Sequence, residues 1–236
     1  MRKKLFKWPV LLMSFVSLTL CSCSTARTSG YIHEADYSGT IKVACVGDSI
    51  TFGAGIRNRN RDSYPAQLGV LLGQKWEVRN FGVSGATLLK KGDRPYWDQK
   101  AYKESLAFKP DVVVIMLGTN DSKPVNWRYK DQFADDYVAL VQSFQALASK
   151  PKIWICRPVP AFPGRWGIRE QIIKDEIIPM VDEVARRTGV SVLDLHQALS
   201  GHGNLFPDTV HPNPQGAGLM AQAICQTLTG RQVNQP

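Results

Sequence analysis

A serine, a histidine and an aspartate in this sequence have the types and positions that nucleophilic catalysis needs. Ser49 ends the cluster Gly47-Asp48-Ser49, which follows an apolar run. A serine hydroxyl is a weak nucleophile and needs a general base, and that base needs a group to orient it. His211 is a candidate base because an imidazole takes and returns a proton near neutral pH. Asp208 lies three residues before it, close enough for a turn to bring its carboxylate to the imidazole.

Three further groups could stabilise the oxyanion that forms when a serine attacks a carbonyl carbon. The N–H of Gly82, in the stretch NFGVSG, can approach a substrate closely because glycine has no Cβ. Asn120, in the stretch GTND, offers the N–H groups of its side-chain amide. With the N–H of Ser49 they would form a three-donor oxyanion hole, in which one donor is typically worth about 2.7–4 kcal/mol.

The elements that must position these residues are short apolar runs alternating with amphipathic segments. Strands are predicted at 41–47, 76–82, 111–118, 152–158 and 190–195. Several of these runs are almost continuously hydrophobic, which is typical of strands covered on both faces. The alternation predicts an α/β fold with a parallel sheet, helices on both faces and right-handed crossovers. Ligands bind such sheets at the carboxyl ends of the strands. The candidate residues all follow strand ends, so we expect them to meet at one edge.

Helical patterns separate the strands. Asp62 or Ser63 could cap a helix that has Pro65 in its first turn. An apolar stripe at helical spacing runs from residue 133 to 147, and a second stripe, from 173 to 184, contains Pro179, which should kink or split it. A last helix is expected from about residue 214 to 228.

Taken singly, each motif also fits an ordinary turn, cap or strand end. Taken together, Gly-Asp-Ser, the glycine after the second strand, Gly-x-Asn-Asp and Asp-x-x-His resemble, in order and spacing, the sequence blocks of the SGNH (GDSL-type) hydrolases. The four letters of that name map onto Ser49, Gly82, Asn120 and His211. The resemblance covers residues 41 to about 228, with Gly-Asp-Ser-Ile in place of Gly-Asp-Ser-Leu.

This resemblance implies a fold and a reaction. The fold is a three-layer α/β/α sandwich around a flavodoxin-like five-stranded parallel sheet of order 2-1-3-4-5. The reaction is ester hydrolysis through an acyl-serine, with Ser49, Asp208 and His211 as the catalytic residues and with no metal or cofactor. Asp48, Asn80 and Asp121 would be supporting residues that bind backbone or neighbouring loops. His196 and His202 lack a comparable acid, and we expect them to be structural or solvated.

The start of the chain reads as an export signal. A basic stretch is followed by an apolar stretch too short to span a bilayer comfortably, and then by Leu20-Cys21-Ser22-Cys23. That last motif resembles the lipobox of bacterial lipoproteins, so Cys23 is the expected lipid anchor, with Cys21 as the second choice. An ordinary secretory signal is the alternative. We therefore divide the chain into a signal peptide (1–22), a flexible tether (23–40), a hydrolase domain (41–230) and a tail (231–236), and expect it to be exported to a bacterial cell envelope, in the periplasm or at the outer membrane.

Composition limits the class of protein and its partners. With 44% hydrophobic and 21% charged residues, the chain fits one ordinary globular domain. Its net charge of +9 owes much to the terminal segment, and the remaining basic residues are dispersed apart from RNRNR at 57–61, so we expect no nucleic-acid partner and contact with a membrane only through a lipid anchor. Cys45, Cys156 and Cys225 have no metal-site spacing and are expected to be buried free thiols.

The ester itself is less constrained by the sequence. Polar and aromatic residues in the strand-end loops favour a carbohydrate; they are Arg59, Arg61, Tyr64, Arg94, Tyr96, Trp97, Trp127 and Arg128. An equally good reading is that the tryptophans only pack the loops. The chain resembles exported bacterial carbohydrate or sialate O-acetylesterases, and removal of O-acetyl groups from a carbohydrate is the leading hypothesis. The alternatives are a lysophospholipase or thioesterase for longer acyl chains and, less favoured, a sugar-binding lipoprotein without catalysis.

Overall fold

The five predicted strands form one parallel sheet. The structure is a computed structural model that describes residues 30–163 and 165–232. Neighbouring strands pair in the order β2-β1-β3-β4-β5, which confirms the expected fold. The strands are β1 (Ile41–Gly47), β2 (Trp76–Gly82), β3 (Val112–Met116), β4 (Lys152–Arg157) and β5 (Ser191–Asp194).

Helices cover both faces of this sheet. The α-helices are α1 (Ser49–Phe52), α2 (Arg59–Asp62), α3 (Tyr64–Leu72), α4 (Lys100–Ala107), α5 (Pro124–Trp127), α6 (Phe133–Gln145), α7 (Glu170–Ile172), α8 (Ile178–Thr188), α9 (Leu195–Leu199) and α10 (Pro214–Thr229). Short 3-10 segments occur at Glu34–Asp36, Tyr96–Asp98, Asn120–Ser122, Lys130–Gln132 and Gly203–Leu205. The sequence patterns did not predict α4, whose only fully buried residue is Ser105.

The alternation of side chains along β1 divides the core into two layers. Ala44 and Val46 pack into the layer that contains α6 and α8, whereas Val43 and Cys45 pack into the layer that contains α3 and α10. All five residues of β3 are fully buried. The near-continuous apolar runs therefore reflect strands covered on both faces, as predicted. Cys45, Cys156 and Cys225 are free and buried, in agreement with the sequence reading.

Pro179 interrupts a helix, as its position predicted. The chain from Glu170 to Thr188 begins as α7, changes to a π-helix at Ile173–Ile177 and continues as α8. Proline has no N–H to donate and its ring collides with the preceding turn of a regular α-helix. The wider π turn just before Pro179 accommodates both effects without breaking the helical path.

The second half of the segment 23–40, which we expected to be a flexible tether, instead makes contacts with the folded domain. Ile32 is buried and its N–H donates to the carbonyl of Leu228 (2.6 Å), while the indole N–H of Trp76 donates to Glu34 (2.8 Å). The segment that begins at about residue 32 is therefore held against the amino end of the sheet, through the contacts of Ile32 with Leu228 and of Glu34 with Trp76. The signal peptide, Cys21 and Cys23 lie outside the described residues. Within residues 30–163 and 165–232, no helix has the length and apolar character to cross a bilayer.

Candidate active site

Ser49, His211 and Asp208 form a hydrogen-bonded line at the carboxyl edge of the sheet. β1 ends at Gly47, and Ser49 is the first residue of α1. The Ser49 hydroxyl lies 2.8 Å from Nε2 of His211, and Nδ1 of the same ring lies 2.8 Å from Oδ2 of Asp208. With Nδ1–H donating to the carboxylate, Nε2 accepts the serine proton. The three residues thus have the geometry of a nucleophile, its base and the group that orients the base.

The spacing Asp-x-x-His works because the aspartate organises its own turn. Oδ1 of Asp208 accepts the N–H groups of Val210 (3.0 Å) and His211 (2.7 Å), which leaves Oδ2 for the imidazole. Partial burial opposes ionisation of Asp208, but these backbone bonds and the bond from the His211 ring outweigh it and hold the pKa of the carboxyl below its ordinary value. Asp208 is therefore a carboxylate at neutral pH.

The structure contradicts the assignment of Gly82 to the oxyanion hole. Its N–H donates to Oδ1 of Asn80 (2.9 Å), and the residue lines a different cavity, which Ser49 and His211 do not line. A Cβ at Gly82 would stand 2.2 Å from the backbone nitrogen of Phe52. Glycine is required here so that β2 can lie against the backbone of α1, and the position gives no access to the nucleophile.

Gly85, three residues later, takes the place expected of Gly82. It lines the cavity that also contains Ser49, Asn120 and His211. Its φ of +79° lies in the left-handed region that favours glycine. The same stretch NFGVSG carries both glycines, and the rule that sites follow strand ends selected the first of them. The chain needs the extra residues to turn from β2 over the nucleophile.

Asn120 lies at the cavity of Ser49, as the sequence predicted, and a bond to a neighbouring loop orients its side-chain amide. It is buried, lines the cavity of Ser49, and donates one N–H to the carbonyl of Ala86 (3.1 Å). That bond leaves the second amide hydrogen for a ligand. Asp121 fixes the neighbouring loop by accepting the N–H groups of Leu88 (3.0 Å) and Leu89 (2.8 Å).

Asp48 and Asp121 are supporting residues, as expected, and both are fully buried. Burial raises the pKa of Asp48 to about 6, against the opposing effects of the N–H of Ile50 and nearby His211. Burial likewise raises the pKa of Asp121 to about 7, although the N–H groups of Leu89 and Leu88 favour its carboxylate. The Thr119 hydroxyl also lowers the pKa of Asp48, although among the described residues neither it nor Oδ2 of Asp48 has a partner at ordinary hydrogen-bond geometry. Asp48 is not the triad acid, because the imidazole pairs with Asp208.

The cavity over Ser49 is small. Its volume is about 220 Å³, and its lining residues are Ser49, Ala54, Ser84, Gly85, Asn120, Lys123, Trp166, Ile168 and His211. A drug-sized ligand site typically measures about 300–1,000 Å³. The cavity therefore suits a small acyl group better than a long chain.

Most aromatic residues chosen from the sequence as carbohydrate contacts hold loops together instead. The indole N–H of Trp97 donates to the carbonyl of Leu88 (3.0 Å), and Trp127 is buried with its N–H on Glu176 (3.1 Å). Tyr64 and Tyr96 are fully buried. Among the arginines chosen, Arg59 lies over Phe52, Arg61 pairs with Asp62 and Arg128 lies over Tyr129, whereas Arg94 approaches Gly85 at the cavity.

Besides Gly85, the sequence analysis missed five lining residues: Ala54, Ser84, Lys123, Trp166 and Ile168. Trp166 and Ile168 follow β4, and Lys123 follows Asn120 in the chain. The stretch Arg-Trp-Gly at 165–167, a tryptophan beside a glycine in a polar loop after a strand end, was the available signal. His196 and His202 do not reach the nucleophile: His196 pairs with Glu170 (2.8 Å) and His202 is exposed.

Comparison with known proteins places this geometry in context. Residues 45–219 match the GDSL-like lipase/acylhydrolase family. An acetylxylan esterase from Xylanibacter ruminicola is 44% identical over 206 residues, which make up 80% of this chain and 43% of the relative. The chain thus spans less than half the length of that curated relative.

Solved structures share the fold at low identity. A carbohydrate acetylesterase from Sinorhizobium meliloti superposes with a TM-score of 0.66 at 22% identity, over 79% of this chain and 97% of the other. A lipase/acylhydrolase from Enterococcus faecalis superposes with a TM-score of 0.66 at 23% identity, over 83% and 100%.

Proposed function

The chain belongs to the GDSL-like lipase/acylhydrolase family, and from this premise we propose that it is a serine esterase that removes O-acetyl groups from a carbohydrate. The observation that carries the proposal is the hydrogen-bonded line from Ser49 through His211 to Asp208, which opens into a cavity of about 220 Å³.

In the first half of the reaction, Oγ of Ser49 attacks the ester carbonyl carbon while Nε2 of His211 takes its proton. Asp208 holds the ring and stabilises the imidazolium that forms. The N–H groups of Ser49 and Gly85 and the Asn120 amide donate to the oxyanion. When the intermediate collapses, the C–O bond to the sugar breaks, and His211 returns the proton to the departing alcohol.

The second half repeats these roles with water as the nucleophile. His211 removes a proton from the water molecule as its oxygen attacks the acyl-serine carbonyl. The same three donors hold the second oxyanion. Its collapse returns the proton to Oγ of Ser49 and releases acetate, so the enzyme ends as it began.

Three observations support an acetylated carbohydrate as the substrate class. The cavity is small, whereas a lysophospholipase or thioesterase needs space for a long chain. The curated relative from Xylanibacter ruminicola is an acetylxylan esterase. The rim carries Lys123 and Trp166, which offer a cation and an aromatic face to a polar substrate. The oxygen-rich alcohol part of a sugar ester fits such a rim better than a lipid does.

The direct test is acetate release from acetylated xylan, pectin fragments and sialic acids, with Ser49→Ala as the control. We expect release by the wild-type enzyme and none above background by the variant, whose melting curve should show a folded protein. Full activity in Ser49→Ala would remove the assignment. Binding of a glycan by wild-type protein without release of acetate would favour the sugar-binding alternative.

A chain-length series separates the acetylesterase from enzymes for longer acyl groups. With p-nitrophenyl acetate, butyrate and octanoate, we expect kcat/KM to fall as the chain lengthens, because the small cavity suits an acetyl group better than a long chain. Faster turnover of octanoate than of acetate would replace the proposal by the lysophospholipase or thioesterase alternative.

We also propose export with a lipid anchor on Cys23, on the basis of the signal-like start of the sequence. Expressed from its full gene in a Gram-negative host, the protein should incorporate radiolabelled palmitate and partition into detergent, and Cys23→Ala should lose both properties. Loss in Cys21→Ala alone would assign the anchor to Cys21, and no incorporation by any form would leave the ordinary secretory signal.

A further inference from the structure

Trp166 is a large aromatic residue that the protein holds in an unfavourable position beside its proposed base. Its residue is 56% exposed, and its φ of +55° lies in the left-handed region that a bulky side chain avoids. The indole ring lies 5.4 Å from the His211 ring, centroid to centroid, at an interplanar angle of 46°. The ring therefore forms part of the cavity wall over Ser49 while much of it remains open to solvent.

Contacts on both sides of Trp166 fix the loop that carries it, between β4 and α7. On one side, the N–H of Phe162 donates to the carbonyl of Thr209 (2.8 Å), and the Thr209 hydroxyl donates to the carbonyl of Pro163 (2.9 Å). On the other side, Arg169 donates its N–H to the hydroxyl of Ser122 (3.0 Å) and its Nε–H to the carbonyl of Ser122 (2.6 Å). The loop is thus tied to the turn of Asp208 and to the segment of Asn120.

Folding alone does not account for this arrangement. A strained backbone persists where the surrounding contacts impose it, and such residues cluster at functional sites. Because the indole is half exposed, the free energy gained by burying it offsets little of the strain energy of its backbone. By contrast, Trp97 and Trp127 have their N–H groups bonded to loops that they stabilise. Trp166 is the tryptophan that lines the cavity.

The chemistry of an indole face suits the non-polar face of a sugar ring. An aromatic face carries partial negative charge, so it attracts the weakly positive C–H groups that a pyranose presents on one side. Arg165, whose guanidinium lies 5.3 Å from the Trp166 ring, and Lys123, on the cavity wall, bring cationic donors to the hydroxyl groups at the ring's rim.

We propose that Trp166 determines specificity by stacking against the sugar ring whose acetyl group enters the cavity of Ser49. This proposal rests on the proposed acetylesterase function and goes further, since it names the residue that distinguishes a sugar acetate from a simple acetate ester. Trp166 contacts the substrate and takes no part in proton transfer.

The test compares an acetylated xylooligosaccharide with ethyl acetate, which has the acetyl group but no ring. In Trp166→Ala, we expect kcat/KM for the oligosaccharide to fall at least tenfold, mainly through KM, and kcat/KM for ethyl acetate to change less than threefold. Trp166→Phe should recover part of the loss, because it keeps an aromatic face. Tyr31→Ala, which removes an exposed aromatic residue at the opposite end of the sheet, should leave both substrates unchanged.

A second variant keeps the test valid if Trp166→Ala folds poorly. Trp166→Gly removes the ring and also relieves the positive φ, so it should fold at least as well as wild type and show the same selective loss.

Two results would overturn the proposal: an unchanged KM for the oligosaccharide in both Trp166→Ala and Trp166→Gly, or equal losses on the two substrates with a displaced pH profile. The second result would mean that Trp166 only positions His211. Absence of acetate release by wild-type enzyme from the oligosaccharide and from every other acetylated glycan of the direct test, with ethyl acetate still hydrolysed, would instead reject the proposed function on which this inference rests.

Discussion

At the level of a single residue, Asp208 allows a structural role to be separated from a catalytic one. Its Oδ1 stabilises the turn, and its Oδ2 sets the tautomer of His211. In Asp208→Asn, Oδ1 can still accept the backbone N–H groups of Val210 and His211. The new amide N–H would then point at Nδ1 and drive the ring to carry its proton on Nε2. That nitrogen could no longer accept the proton of Ser49. We expect kcat to fall by roughly 10³–10⁴-fold in a folded protein, as measured by steady-state kinetics and circular dichroism.

A loss of less than tenfold in that variant would mean that the acid is dispensable or that another carboxylate replaces it. Asp194→Asn is a suitable control, since Asp194 pairs with Arg157 away from the cavity. Its activity should stay near that of wild type.

The two glycines of the loop after β2 should respond differently to the same substitution. In Gly82→Ala, the new Cβ would meet backbone atoms of Thr51 and Phe52 at 2.6 Å or closer, and backbone cannot move aside cheaply. We expect a large loss of stability, seen as a lower melting temperature or poor soluble yield. In Gly85→Ala, the nearest atom stands 3.6 Å away, so only the positive φ is penalised, by about 1–2 kcal/mol.

The kcat values of the two glycine variants should also differ. Gly85→Ala should lose kcat out of proportion to its stability, because the strained turn displaces the N–H that we assign to the oxyanion. If Gly85→Ala kept full kcat while a folded fraction of Gly82→Ala lost it, the original sequence assignment would be right and ours wrong.

At the level of the elements, Glu170 joins three parts of the carboxyl edge. It begins α7, its Oε2 accepts the N–H of buried Ala161 (2.7 Å), and its Oε1 pairs with His196 of α9 (2.8 Å). Because the N–H of Ala161 would lose its partner inside the protein, Glu170→Ala should cost roughly 1–3 kcal/mol of unfolding free energy. It should also raise KM for the acetylated oligosaccharide, since the same loop carries Trp166.

His196→Ala is the matched control, because it removes only the bond to Oε1. Its stability loss should be smaller, and its KM should stay near wild type. Chemical denaturation of both variants, with KM measured on the same preparations, would check this. Equal effects of the two substitutions would show that the bond to His196, and not the bond to Ala161, holds the loop.

At the scale of the whole molecule, the predictable features are those that repeat along the chain. The strands were recognised because a parallel strand covered on both faces must be apolar at nearly every position, as β3 is. Ser49, Asn120 and His211 were located because parallel strands deliver their carboxyl ends to one edge. The irregular helix around Pro179 was predictable because the effect of a proline on the backbone is local.

The remaining features depend on tertiary contacts that sequence spacing does not encode. Gly82 and Gly85 both follow β2, and only the packing of β2 against α1 decides which of them faces the nucleophile. Ile32 belongs to a polar stretch, and its burial depends on Leu228, nearly two hundred residues away. Trp166 reaches the cavity because its loop is tied to two other loops.

The pH dependence of the whole fold follows from the two buried acids beneath the site. The pKa values of Asp48 and Asp121, about 6 and about 7, lie above the ordinary value of 3.8. The folded state therefore binds more protons than the unfolded chain between about pH 4 and pH 7. These two acids therefore lower the free energy of unfolding as pH rises through that range.

Asp48→Asn tests whether ionisation of Asp48 lowers the free energy of unfolding as pH rises. The amide oxygen can keep the bond from the N–H of Ile50, and the amide N–H can donate to the nearby Thr119 hydroxyl. At pH 8 the variant should gain on the order of 2–3 kcal/mol, since one pKa unit corresponds to about 1.4 kcal/mol. At pH 5 the gain should shrink to roughly 1–2 kcal/mol, and near pH 4 toward zero, because folded wild-type protein is then protonated at Asp48 and the unfolded chain loses its preference for the carboxylate only as pH approaches 3.8. Calorimetric melting of both proteins from pH 5 to 8 measures the difference, and a gain that is constant with pH would mean that Asp48 does not titrate in this range.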